Sequence, residues 1–216
     1  MNLASLINDA QYTQFVRKTM KHQVRGLRRR GFIAALHRLM QETNPKATFT
    51  GVEVGVKFGT FSQQILEMLP QVRQMTLVDP WKEYPQNHPD RDKFSYAGRK
   101  QSGWDNMAEM CEKRMQPFGR RARIIRATSM DAAQKLSSQR FFVVYIDAGH
   151  SCEDVLADCK AWWPLVEAGG ILSGDDYRPK GHKDRTESVS SAVELFAQFH
   201  GLEIVPHHRN WFLQKS

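Results

Sequence analysis

Two hydrophobic periods divide this chain. In the first 45 residues, apolar positions recur at Phe32, Ile33, Leu36, Leu39 and Met40. That spacing is close to a helical period, and Asn44-Pro45 ends it. From Phe49 onward, short apolar runs at 50–54, 75–78, 123–125, 141–146 and 170–172 alternate with helical patterns at 60–69, 104–115, 130–136 and 152–166. Strands alternating with helices of this length predict βαβ units and a parallel sheet. A last helix is predicted over 188–199, followed by apolar runs at 202–205 and 211–213 on either side of PHHRN. That ending predicts a hairpin that adds an antiparallel strand to the sheet. The pattern is that of a doubly wound α/β domain over 47–216, preceded by a helical extension over 1–46. Two stretches, 80–103 and 177–187, are too polar or broken for regular structure and predict loops of the length that serves as lids or binding loops.

Composition narrows the class. Hydrophobic residues make up 41% and charged residues 25% of the 216, which excludes wholesale disorder. No apolar run is long enough to span a bilayer, so no membrane partner is expected. The N-terminus, MNLASLINDAQYTQF, lacks the basic head and apolar stretch of a signal peptide. Cys111, Cys152 and Cys159 form no C-x-x-C pair, which suits a reducing, cytoplasmic setting and argues against a disulfide framework or structural zinc. The net charge of +8 admits an anionic partner, whether nucleic acid, membrane surface or substrate, and equally admits simple solubility. The run RGLRRR at 25–30 reads either as a phosphate-contacting strip or as a solvated helix face. No RNA-binding signature with paired aromatics accompanies it.

The chemistry concentrates at predicted strand ends, where open parallel sheets bind their ligands. The first strand runs into Glu53-Val-Gly55-Val-Lys57-Phe-Gly59-Thr60 and then a helix. The dinucleotide fingerprint G-x-G-x-x-G is absent, because an acid stands where its first glycine would be. A carboxylate there repels a pyrophosphate but suits a cationic amino-acid end. The segment GVEVGVKFGTFS resembles the first motif of class I methyltransferases, whose loop holds the methionine part of S-adenosylmethionine. That resemblance implies a Rossmann-like, mostly parallel seven-stranded sheet. It also implies cofactor contacts from Glu53, Gly55, Lys57, Gly59 and Thr60. The second strand ends in Asp79, and the resemblance assigns its carboxylate to the ribose diol; a turn aspartate before Pro80 is the plainer reading. The third strand is followed by Thr128-Ser129-Met130, which by resemblance meets the adenine and which also suits a helix N-cap.

The most specific segment is Tyr145-Ile-Asp147-Ala-Gly-His150, followed downstream by WWPLVEAGGILSGDDY, which ends in Asp175-Asp176-Tyr177. Adjacent parallel strands therefore end in acids on one edge of the sheet. Clustered carboxylates call for a cation, and an all-oxygen set favours magnesium or another hard divalent ion over zinc. A metal-bound hydroxyl becomes more acidic and better oriented, and His150, three residues after Asp147, is a candidate base. His88 and His182, in the two long loops, compete for that role. The stretch resembles the metal-dependent O-methyltransferases. In their catechol and caffeoyl-CoA branches a lysine stands where His150 stands here, and an Asp-Asn pair stands where Asp175-Asp176 stands. The wording is closer to the branch of macrolide-sugar O-methyltransferases and cephalosporin-hydroxylase-like proteins.

These readings converge on an S-adenosylmethionine-dependent methyltransferase acting on a hydroxyl of a small, glycosyl or otherwise polyhydroxylated metabolite. Asp147, Asp175 and Asp176 are the expected metal ligands, with Asp147 also in cofactor contact and, beside His150, in the catalytic group. Two alternatives stay open: a nucleic-acid methyltransferase using the basic extension, and a cofactor-binding protein without turnover. Apolar faces of the N-terminal helices are candidates for pairing two copies of the chain.

Overall fold

The computed structural model describes residues 3–8, 14, 27–44, 47–84, 99–178, 180 and 187–216. Seven strands form one sheet: β1 (Phe49–Val54), β2 (Val72–Asp79), β3 (Ala122–Arg126), β4 (Phe141–Ile146), β5 (Val166–Gly174), β6 (Val205–His207) and β7 (Asn210–Gln214). Their order is β3-β2-β1-β4-β5-β7-β6. The first five pair in parallel, while β7 runs antiparallel to both β5 and β6. Six of the seven strands cover a predicted run, most of them extended by a few residues; β6 instead begins at Val205, the last residue of the run 202–205, and takes its other two residues from PHHRN. Every residue of central β4 is buried, because helices cover both faces of a parallel sheet.

The helices whose ends lie among the described residues are α1 (Leu3–Ile7), α2 (Leu27–Thr43), α3 (Thr60–Met68), α4 (Gln101–Met115), α5 (Ser129–Lys135), α6 (Cys152–Trp162) and α7 (Glu187–His200). The end of one predicted helix moves back by four residues. The fourth predicted helix was expected to run on to residue 166, but α6 stops at Trp162, and Trp163–Leu165 form a 3-10 turn. Pro164 has no N–H to continue the α-helical ladder, so the chain tightens and turns into β5. Trp162 is fully buried and Trp163 packs edge-on against Phe196, as expected of residues that seal a helix onto the sheet. Of the stretch 80–103, expected to be a loop, residues 85–98 lie outside the described residues, and α4 already begins at Gln101.

The extension is not a separate layer where it is described. Phe32 of α2 is fully buried, with its ring 4.8 Å from Tyr145, 5.2 Å from Phe61 and 5.3 Å from Phe212. Such burial contributes about 1.5–3 kcal/mol for a side chain of this size. Ile33, Leu36, Leu39 and Met40, together with Leu3, Leu6 and Ile7 of α1, join the same core. These described apolar positions of the extension are thus buried inside the chain. Arg25 and Gly26, and the side chains of residues 27–30, lie outside the described residues, as do His88, Tyr96 and His182. Among the described residues no helix is long and apolar enough to cross a membrane.

Candidate active site

The topological switch point lies between β1 and β4, where the chain leaves one half of the sheet for the other. Backbone bonds hold the residues just past the strand ends. Gly55 N–H donates to the Val78 carbonyl at 2.9 Å, Asp147 N–H to Val54 at 2.7 Å, and Asp175 N–H to Ile146 at 3.2 Å. Strand pairing therefore carries on one residue beyond each strand and presents three site residues along one edge. A cavity of about 720 Å³ opens there, a size ordinary for a small-molecule site.

The loop after β1 is shaped by two glycines and two acids. Gly55 adopts φ 88°, and a Cβ on it would collide with the Asp147 carbonyl, so only glycine lets β1 pass β4 at this point. Gly59 adopts φ 72° as the N-cap of α3. Its missing side chain would point at Cys111 Sγ, so Gly59 packs α3 against α4 and does not line the cavity. Buried Glu53 accepts the Ser62 N–H at 3.0 Å and bonds the Ser62 hydroxyl, tying the strand end to the first turn of α3. Glu53, Gly55, Lys57 and Thr60 all line the cavity. Burial pulls the Lys57 ammonium down from its ordinary value, Arg99 adds to that, and Asp147 opposes it.

Asp79 is the organiser of this loop. Its Oδ2 accepts Val56 N–H at 3.0 Å and Lys57 N–H at 2.9 Å, and its Oδ1 accepts Trp81 N–H at 2.8 Å. Burial pushes the carboxyl up, while these backbone donors and the Arg126 charge draw it back. A carboxylate has about four acceptor sites, so with three in use there is room for about one ribose hydroxyl, against the two first expected. Trp81, within the stretch expected as a lid or binding loop, is buried and donates its indole N–H to the Lys57 carbonyl at 2.7 Å. Tyr84 and Trp104 supply aromatic wall to the cavity with ring centroids 5.7 Å apart.

At the other end of the cavity, Thr128 caps α5 by accepting Asp131 N–H at 3.2 Å. Thr128, Ser129 and Met130 all line the cavity, so the cap and a cofactor contact are compatible. Ser129 Oγ bonds the Asp158 carboxylate and accepts Trp162 Nε1–H at 2.8 Å. Asp158 was not anticipated. Burial pushes its carboxyl up to about 6, with the Ser129 bond opposing and Asp154 assisting. A signal existed, because Asp158 falls on the buried face of α6 with Val155, Cys159 and Trp162, where an acid is out of place.

The carboxylate edge differs from the expected metal set. The ligand atoms within 4.8 Å of one another belong to Asp147, His150 and Asp176. Asp175 lines the cavity but is not among them; it is buried, and its Oδ1 accepts the Asp176 N–H at 2.7 Å. His150 Nε2 lies 3.0 Å from Asp176 Oδ2 and 4.0 Å from Asp147 Oδ1. The guanidinium of Arg209, from the turn between β6 and β7, pairs with Asp176 Oδ1. Both oxygens of Asp176 therefore already face cationic or hydrogen-bonding partners. A hard divalent ion needs several oxygens in near-regular geometry. The set Asp147, Asp175 and Asp176 does not present them as it stands. Nothing local in the sequence marks Arg209, since only the hairpin brings it here.

Although the chain is basic, carboxylates outnumber lysine and arginine among the residues that line the cavity. The lining suits a cationic ligand rather than a phosphate-rich one.

A family model described as Methyltransferase domain matches residues 52–177, more than half of the chain. No curated protein matches it. Among solved structures, the SAH-bound methyltransferase PaMTH1 of Podospora anserina shares 11% identity over 98% of this chain and 88% of that one, with a TM-score of 0.58. An O-methyltransferase of Bacillus cereus in complex with SAH shares 10% over 95% and 99%, with a TM-score of 0.57. CalS11, a TDP-rhamnose 3'-O-methyltransferase of calicheamicin biosynthesis, shares 14% over 95% and 93%, with a TM-score of 0.52. At these identities the likeness is one of fold.

Proposed function

This chain belongs to the methyltransferase domain family, and on that premise we propose that it transfers a methyl group from S-adenosylmethionine to a hydroxyl of a small polyhydroxylated, glycosyl-type metabolite. The observation that carries this reading is the carboxylate-rich cavity at the switch point, bounded by a glycine loop that Asp79 holds in shape. S-adenosylmethionine supplies an electrophilic methyl on a positively charged sulfur, and also carries an ammonium group. An acidic lining attracts such a cation, whereas it would repel a dinucleotide. The name of CalS11 as a sugar O-methyltransferase supports the hydroxyl and the sugar.

In this reading the loop from Gly55 to Thr60 receives the amino-acid end, Asp79 takes a ribose hydroxyl, and Thr128, Ser129 and Met130 border the adenine. Aromatic wall from Tyr84 and Trp104 excludes water from the transfer. His150, beside Asp147 and Asp176, accepts the acceptor's hydroxyl proton. As it does, the hydroxyl oxygen bonds the methyl carbon, and the electron pair of the breaking carbon–sulfur bond stays on sulfur. No step passes through a metal ion.

The test begins with calorimetric titration of SAH into wild type and Asp79→Ala. It is followed by a screen of free sugars and other phosphate-free polyhydroxylated acceptors with radiolabelled cofactor. Saturable binding plus label on a hydroxylated acceptor supports the reading. Replacing His150 by alanine should lower kcat by roughly 10²–10⁴-fold with SAH affinity unchanged. A wild-type protein that binds no SAH sinks the proposal.

A further inference from the structure

We propose that Arg209 is the resident counter-cation of the Asp147–His150–Asp176 edge, standing where a divalent metal ion would otherwise neutralise it, so that the site works without one. The inference rests on the methyltransferase reading of the cavity, but it concerns the charge balance of these residues alone.

The arginine is delivered by a locked turn. β7 pairs with β5 in a register that sets Trp211 opposite Gly174, the residue just before Asp175. The Arg209 carbonyl accepts the Tyr177 N–H at 2.9 Å, which fixes the turn against the residue just after Asp176. Next to it, fully buried Asn210 accepts the Tyr145 hydroxyl at 2.8 Å and donates to the His207 carbonyl at 3.3 Å. The turn is therefore tied both to β4 and to the segment after β5. Arg209 stands opposite the acid pair by construction.

Asp176 is shaped to meet it. Its φ of 61° is left-handed, a conformation that aspartate tolerates better than most residues. Its N–H is held by Asp175 Oδ1 at 2.7 Å. One carboxylate oxygen then meets the guanidinium and the other lies 3.0 Å from His150 Nε2. The Asp176 side chain is only 17% exposed, so its charge needs a partner close by. A guanidinium keeps its charge at any working pH. A divalent ion entering here would have to displace the arginine and leave that cation unpaired beside it. Arg209 acts on the chemistry through Asp176 and His150, which makes it a positioning residue.

The experiment is a manganese titration followed by electron paramagnetic resonance, on wild type, Arg209→Gln and Arg209→Lys, with SAH calorimetry on each. The expected result is no saturable manganese binding to wild type or Arg209→Lys, and saturable binding to Arg209→Gln, as the carboxylates released from Arg209 attract the ion. Turnover of wild type should survive chelator. Saturable manganese binding to wild type that Asp176→Asn abolishes overturns the proposal. So does the lack of binding in both wild type and Arg209→Gln, because something other than Arg209 then keeps the ion out. Retained SAH binding shows that a variant is folded; should Arg209→Gln lose it, the wild-type titration alone decides. Loss of SAH binding in wild type counts against the cofactor reading and leaves the manganese result to be judged by itself.

Discussion

Asp79 accepts the backbone N–H of Lys57 at 2.9 Å, so the end of β2 holds the loop that leaves β1. The same carboxylate takes Val56 and Trp81, and removing it leaves three buried or half-buried N–H groups without their acceptor. Each such loss costs about 1–3 kcal/mol. Asp79→Ala should therefore weaken SAH binding by roughly ten- to a hundredfold, each tenfold being about 1.4 kcal/mol, as read by calorimetry. Unchanged affinity would show that the loop keeps its shape without the carboxylate.

Gly55→Ala should be more damaging than its size suggests. The residue sits at φ 88°, and its new methyl would run into the Asp147 carbonyl, which is backbone and cannot swing away. Left-handed strain and overpacking each cost about 1–3 kcal/mol. The expected outcome is a drop in Tm together with loss of SAH binding. A Gly119→Ala control, also at positive φ but with open space around its Cβ, should carry only the strain.

Asp158 makes a prediction about pH. Its folded value is raised from an ordinary 3.8 to about 6, mainly by burial. Folding therefore favours the protonated acid. The associated stability is complete below the unfolded value and is lost as pH rises through about 6. At pH 8 the loss amounts to about 3 kcal/mol. Asp158→Asn keeps an acceptor for the Ser129 hydroxyl and cannot ionise. Its Tm should exceed that of wild type at pH 8, with the difference closing towards pH 4. A gap independent of pH would show that the buried carboxyl does not titrate in this range.

The three thiols should separate by reactivity. Cys111 is buried and burial pushes its thiol up to about 12; Cys159 is buried and is pushed up as well. Cys152, at the first turn of α6, is only partly covered. A chromogenic disulfide at pH 8 should titrate one thiol in the native protein and three in denaturant, because only an accessible thiolate attacks. Rapid native reaction of more than one would mean that α4 or α6 opens readily.

Much of this site is written locally. The period of apolar residues changes from helical to short runs near Phe49, and the residues just past three of those runs, Gly55, Asp79 and Asp147, with Asp175 three residues past a fourth, stand at or just beyond strand ends in the folded chain. Turn chemistry is equally local: Thr128 caps α5, and Pro164 ends α6. Asp158 left a trace as well, an acid at a position whose helical neighbours are apolar.

What the sequence by itself determined is the order of strands and helices and the edge on which their polar ends collect, because backbone periodicity and turn preferences act over a few residues. Only the tertiary structure decided how those ends are partnered. It spent Asp79 on holding a loop, turned Asp175 onto the neighbouring N–H, left Gly59 to helix packing, and set Arg209 against Asp176. The last pairing depends on the order β5-β7-β6 and on the register that sets Trp211 opposite Gly174. The charge on a side chain is a local property, but the charge it meets is chosen by strand pairing between distant parts of the chain.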